Sequence, residues 1–63
     1  MVKIVHRGRT YKVKAGMTVR DTVRKIGLHP EAVLATRHGE LIHRETILKE
    51  GETIELIAVL SGG

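Results

Sequence analysis

The residues with most to offer chemistry are the last three, Ser61, Gly62 and Gly63. They follow a strand-like apolar run, Ile54 to Leu60, and end in a bare diglycine with a free carboxylate. Glycine has no Cβ, so its backbone can lie against another molecule's catalytic groups. Packing asks for nothing of the kind, because glycine is the poorest residue for holding a terminus rigid. Three extended residues reach roughly 10 Å at ~3.3–3.6 Å each. The pattern therefore predicts a flexible tail, residues 61–63, that enters a narrow channel and presents the Gly63 carboxylate inside a partner's active site. A frayed terminus of small residues is the plainer alternative.

Little else in the chain can do chemistry unaided. There is no cysteine, so disulfides, thiolate metal sites and a cysteine nucleophile are excluded. Any sulfur the protein handles must ride on the chain end. His6, His29, His38 and His43 are four candidate metal ligands, but only His38 and His43 are close, and no spacing matches a known site. They read as surface or half-buried side chains, and no metal is expected. No Ser-His-Asp arrangement, paired catalytic carboxylates or phosphate loop is present. A chain of 63 residues makes one domain and buries only ~60% of its unfolded surface. That leaves no room for a core and a deep substrate pocket together, so the chain reads as something acted upon rather than as an enzyme.

The net charge is +4 and unevenly spread. Residues 1–30 carry eight Lys/Arg against one acid, Asp21, whereas residues 31–63 carry three against six glutamates. Such asymmetry predicts one basic face able to steer an acidic partner or a phosphate backbone, with Arg7, Arg9, Lys12 and Arg44 raising the association rate. Tyr11 is the only aromatic residue, so a base-stacking platform is missing and direct nucleic-acid binding is not expected. No apolar stretch approaches the ~18 residues of a membrane span, and the N-terminus lacks a signal-peptide pattern. A cytoplasmic monomer with no membrane partner is the resulting expectation.

The elements that must position the tail can be read from periodicity. Val2 to His6 is mostly β-branched, and Thr10 to Lys14 alternates polar with apolar; both read as strands, joined by Arg7-Gly8-Arg9. Val2, Ile4, Tyr11 and Val13 should share a face. Thr18 stands three residues before Asp21, which predicts a capped helix start, and Val19, Val23 and Ile26 form one apolar stripe. Gly27 fits the left-handed position after the helix, Leu28 can fold back on it, and Pro30 forbids continuation. Ala32–Thr36 and Leu41–Ile42 read as strands around a turn at Arg37 to Glu40. Ile47 and Leu48 are expected to seal the bottom of the core, and Thr53 to Leu60 is the longest strand. The predicted fold class is α+β, ββαββ in order, a mixed sheet of four to five strands with one helix packed on one face. The first and last strands should be parallel central neighbours, linked by the helix as crossover. Residues 1–60 form the single domain.

At this point the residues resemble the β-grasp sulfur carriers, the ThiS/MoaD group of ubiquitin-like proteins. The resemblance spans the chain. It is carried by Thr18-Val19-Arg20-Asp21 opening the helix, Gly27 closing it, and the strand-turn-strand centred on Gly39. Leu48 to Glu55, similar to the family's Leu-x-x-Gly-Asp/Glu-x-Ile-Glu segment, and the terminal Gly62-Gly63 complete it. The resemblance implies a carrier, not a catalyst. A ubiquitin-activating-type adenylating enzyme would spend ATP on the Gly63 carboxylate, and a persulfide donor would convert the adenylate to a thiocarboxylate. That sulfur would pass to a synthase or a tRNA thiolase. No cofactor is held by the carrier itself, since ATP belongs to the partner. The short connector Glu45-Thr46-Ile47-Leu48 and the Ser-Gly-Gly ending look more like carriers that serve tRNA thiolation, some of which also modify proteins. Thiamine thiazole or molybdopterin synthesis is the alternative within the group, and an inert ubiquitin-like interaction domain is the alternative outside it.

In ubiquitin-like folds the helix-free face of the sheet is the usual docking surface. If Ile54, Leu56 and Ala58 face the helix, alternation turns Ile57 and Val59 the other way. Val5 and Leu60 join them in the expected partner-binding patch.

Overall fold

Six elements form along the computed structural model, which describes residues 1–59: β1 (Val2–His6), β2 (Arg9–Val13), α1 (Val19–Lys25), β3 (Val33–Arg37), β4 (Glu40–Ile42) and β5 (Thr53–Ala58). The strands make one sheet in the order β2-β1-β5-β3-β4. β1 and β5 are parallel at its centre, with Lys3 opposite Thr53 and Val5 opposite Glu55; all other pairings are antiparallel. The helix supplies the crossover that parallel neighbours require. This is a β-grasp arrangement. Of the four to five strands expected, five form, because Glu40–Ile42 is long enough to build its own ladder on Ala35–Arg37. The order is thus ββαβββ.

Both hairpins close through two-residue turns. Arg7 and Gly8 take φ of 50° and 78°, and His38 and Gly39 take 54° and 80°. Paired left-handed residues match the right-handed twist of the flanking strands. The first turn is therefore one residue shorter than its composition suggested, and Arg9 belongs to β2.

Seven residues are too few for an isolated helix, so α1 depends on its ends and its buried stripe. Thr18 caps it, its Oγ1 accepting from the Asp21 N–H at 3.1 Å. The Val19 and Arg20 N–H groups donate to the Thr46 and Arg44 carbonyls at 3.0 and 2.9 Å. At the other end the Leu28 N–H donates to the Val23 carbonyl and the Gly27 N–H to that of Arg24, both at 3.0 Å, with Gly27 at φ 87°. That pair of bonds is the Schellman closure a left-handed glycine permits.

The core is aliphatic: Val2, Ile4, Val13, Val19, Val23, Ala35, Leu48, Ile54 and Leu56, flanked by half-buried Tyr11, Ile26 and Leu28. Ile47 departs from expectation. It is 56% exposed, whereas its neighbour Leu48 is fully buried. The connector is held extended by a bridge from Ile47 to Thr18 and by the Leu48 N–H bond to the Met17 carbonyl. Successive side chains of an extended segment point opposite ways, so only one of the two can reach the core. Glu52 pins the next turn to β3. Its carboxylate accepts from the Lys49 N–H and from the Arg37 guanidinium, each at 2.7 Å. The backbone bond, chiefly, and Arg37 hold its carboxyl below its ordinary 4.5 against the opposing effect of burial.

Thr22 is the one buried side chain whose polar atom lacks a partner among the described residues. Desolvating a hydroxyl with no compensating bond costs about 1–3 kcal/mol. Thr22→Val keeps the shape and removes that cost, so it should stabilise the protein by about 1 kcal/mol in denaturant unfolding. A lower unfolding midpoint in the variant would show that the hydroxyl is satisfied after all.

Candidate functional site

One face of the sheet is covered by α1, and the register fixes what lies on the other. Val2, Ile4, Val13, Ala35, Ile54 and Leu56 are buried towards the helix. Their neighbours along each strand therefore point away: Lys12 on β2, Lys3 and Val5 on β1, Glu55 and Ile57 on β5, Leu34 and Thr36 on β3, and Leu41 on β4.

This open face has two halves. On β5, β3 and β4 it is mainly apolar, with Glu55 and Thr36 the exceptions. Ile57 and Leu34 are cross-strand partners, 47% and 46% exposed, and Leu41, opposite Thr36, is 66% exposed. Half-buried Val5 borders them beside Glu55. Thr36 is nearly buried among these residues, its hydroxyl donating to the Glu55 carbonyl at 3.2 Å, so the patch is laid over a satisfied ladder. On β1 and β2 the face is basic, with Lys3 directly opposite Lys12. Like charges placed opposite one another disfavour the sheet slightly, whereas an acidic surface docked there would relieve the repulsion.

Of the sequence-predicted patch residues, Val5 and Ile57 lie together on this face. Val59 sits just past β5, its N–H donating to the Ala32 carbonyl at 2.8 Å. It also lines a cleft with Leu28, His29 and Pro30 beyond the helix, which places it at the margin of the patch. Leu60 and the tail residues Ser61, Gly62 and Gly63 lie outside the described residues. Leu34 and Leu41 were not foreseen. A signal for Leu34 existed: once Ala35 is taken as core, alternation along β3 turns Leu34 outward.

Because β5 runs parallel to β1, the chain passes Val59 at the end of the sheet that carries the Arg7-Gly8 turn. Arg7 and Arg9 are exposed at that end, so cations flank the approach to the apolar patch. Among the described residues no group of three His, Cys, Asp or Glu side chains could hold a metal. The His43 imidazole is already engaged, its Nδ1 accepting from the Glu45 N–H at 3.1 Å. No described helix is long and apolar enough to cross a membrane.

The sequence model of the ThiS family matches residues 2–63, the diglycine included. The chain is also 36% identical over 52 residues to the sulfur carrier protein TtuB of Thermus thermophilus, a match that covers 82% of this chain and 80% of that one.

Proposed function

We infer, for a chain that belongs to the ThiS family, that it is a sulfur carrier whose working atom is the Gly63 carbonyl carbon. One observation carries this reading: the family match continues through the last residue. Residues 1–60 act as the handle and 61–63 as the tail. A carboxylate is a poor electrophile, so a ubiquitin-activating-type enzyme first joins it to the α-phosphate of ATP and releases pyrophosphate. The terminal sulfur of a persulfide then attacks the acyl carbon and AMP departs. A thiol cuts the remaining S–S bond and leaves a thiocarboxylate. The carrier supplies no general acid or base, and works in the cytoplasm as a monomeric co-substrate.

The apolar half of the open face is the docking patch for the activating enzyme, with Ile57 and Leu34 as its anchors. A small patch suits a protein that must leave one partner for the next, because a few buried aliphatic anchors give specificity without a large, slowly released interface. The short 45–48 connector and the Ser-Gly-Gly ending favour tRNA thiolation as the destination. The natural test is intact-mass measurement after incubation with the adenylating enzyme, ATP and a persulfide donor. The expected gain is that of one oxygen replaced by sulfur at the C-terminus. An unchanged carboxylate in every such preparation points instead to an interaction domain without sulfur chemistry. Loss of thiolated tRNA on deletion, against loss of thiazole or molybdopterin, separates the destinations.

A further inference from the structure

A second surface, which meets the open face at Leu34, lies where two strands of unequal length leave a gap. β3 has five residues and β4 three, and the ladder between them covers only Ala35 to Arg37. Val33 and Leu34 pair with Ala58 and Ile57 on one side and with no strand on the other among the described residues. Ladder bonds alternate sides along β3: Ala32 and Leu34 turn to β5, so Val33 turns its N–H and C=O to the gap, and such unpaired groups at a sheet edge are a template for an incoming strand. β4 cannot grow along them, because after Ile42 the chain is drawn to the helix by the Arg20 N–H bond to the Arg44 carbonyl.

The gap opens into a groove of 460 Å³ between α1 and the β3 edge, large enough for several side chains. Val23, Val33 and Ile42 line it, and Arg20 and Arg44 stand on its rim with a single acid, Glu31. Neither arginine forms an ion pair among the described residues.

We propose that this groove binds an extended acidic segment of a partner protein, added beside Val33–Leu34 in the place that β4 leaves empty. The edge asks for a strand-like backbone, the aliphatic lining for aliphatic side chains, and the two arginines for carboxylates. A second copy of the chain is a poor occupant, since it would bring the same arginines to the same groove. Nucleic acid finds no aromatic platform here. The proposal does not depend on the sulfur chemistry.

The test is a titration of the isotope-labelled full chain, followed by amide NMR. The probe is an acetylated hexapeptide of three aliphatic residues followed by three acidic ones, and its control carries lysines in place of the acids. Saturable shifts should cluster at Val33, Ile42 and Arg44, and the R20E/R44E double variant should bind at least ~10-fold more weakly. The bond between these two residues runs through their backbones, so the variant should keep its fold; if its thermal melt falls, R20Q/R44Q takes its place with the same expected direction. Absence of saturable shifts, equal binding of the lysine peptide, or shifts confined to Ile57 and Leu41 would overturn the proposal. Shifts that depend on carrier concentration without peptide would also overturn it, in favour of a second copy.

Discussion

A carrier lengthened by one alanine after Gly63 accepts no measurable sulfur: this is the largest effect the proposed function entails. The extra residue moves the terminal carboxylate by roughly 3.5 Å and places a methyl group beside it. A displacement of only ~1 Å from productive geometry already costs about 10²-fold in rate, and the added Cβ removes the freedom that glycine gives a backbone packed against catalytic groups. Removing Gly63 should be equally damaging, since the carboxylate then stops short by the same distance. ATP–pyrophosphate exchange with the cognate adenylating enzyme measures the first step, and intact mass measures the product. Thermal unfolding of each variant beside the parent protein separates lost sulfur transfer from a change in the fold. Sulfur transfer at the parental rate by the untrimmed, lengthened protein would end the account.

Leu34→Glu combined with Ile57→Glu should weaken activation about 30- to 1,000-fold through the apparent affinity for the carrier, with little effect on its fold. Central aliphatic or aromatic anchors each contribute ~2 kcal/mol or more to a small interface, and here each would be replaced by a charge that has to be desolvated on docking. The two side chains are cross-strand partners, each nearly half exposed, so substitution should change stability by no more than ~0.5 kcal/mol beyond their mutual repulsion. Steady-state kinetics of adenylation against carrier concentration, beside a denaturant melt of each variant, resolves the two effects. Unchanged kinetics with both residues replaced would remove the open face from recognition.

Much of the architecture was legible because local rules agreed with one another. Thr18 three residues before Asp21, the Val19/Val23/Ile26 stripe and Gly27 followed by Leu28 specify a helix with both ends closed, and each contact is found. The parity of β1 and β5 was legible where Lys3 separates Val2 from Ile4 and Glu55 separates Ile54 from Leu56, and both pairs are buried. Legibility ended where apolar residues are consecutive. In Val33-Leu34-Ala35 and in Ile47-Leu48 composition cannot say which side chain turns inward. The answer came from pairing, through Ala35 against Leu56 and through the Thr18–Ile47 bridge. The groove beside α1 left no local trace at all. It arises from a difference in length between β3 and β4 and from the diversion of the chain at Arg44, which are properties of the assembled sheet. The reading of the tail rests on the diglycine at positions 62 and 63, which lie outside the described residues.

The parallel pairing of β1 with β5 also determines how the molecule bears load. Their hydrogen bonds lie across the line between Val2 at one end of the sheet and Val59 at the other. Tension between the start of the chain and its tail is thus shared by all these bonds in shear, where an antiparallel hairpin pulled from its open end would unzip one bond at a time. A pull on Val59 against the start of the chain meets its stiffest resistance along that axis.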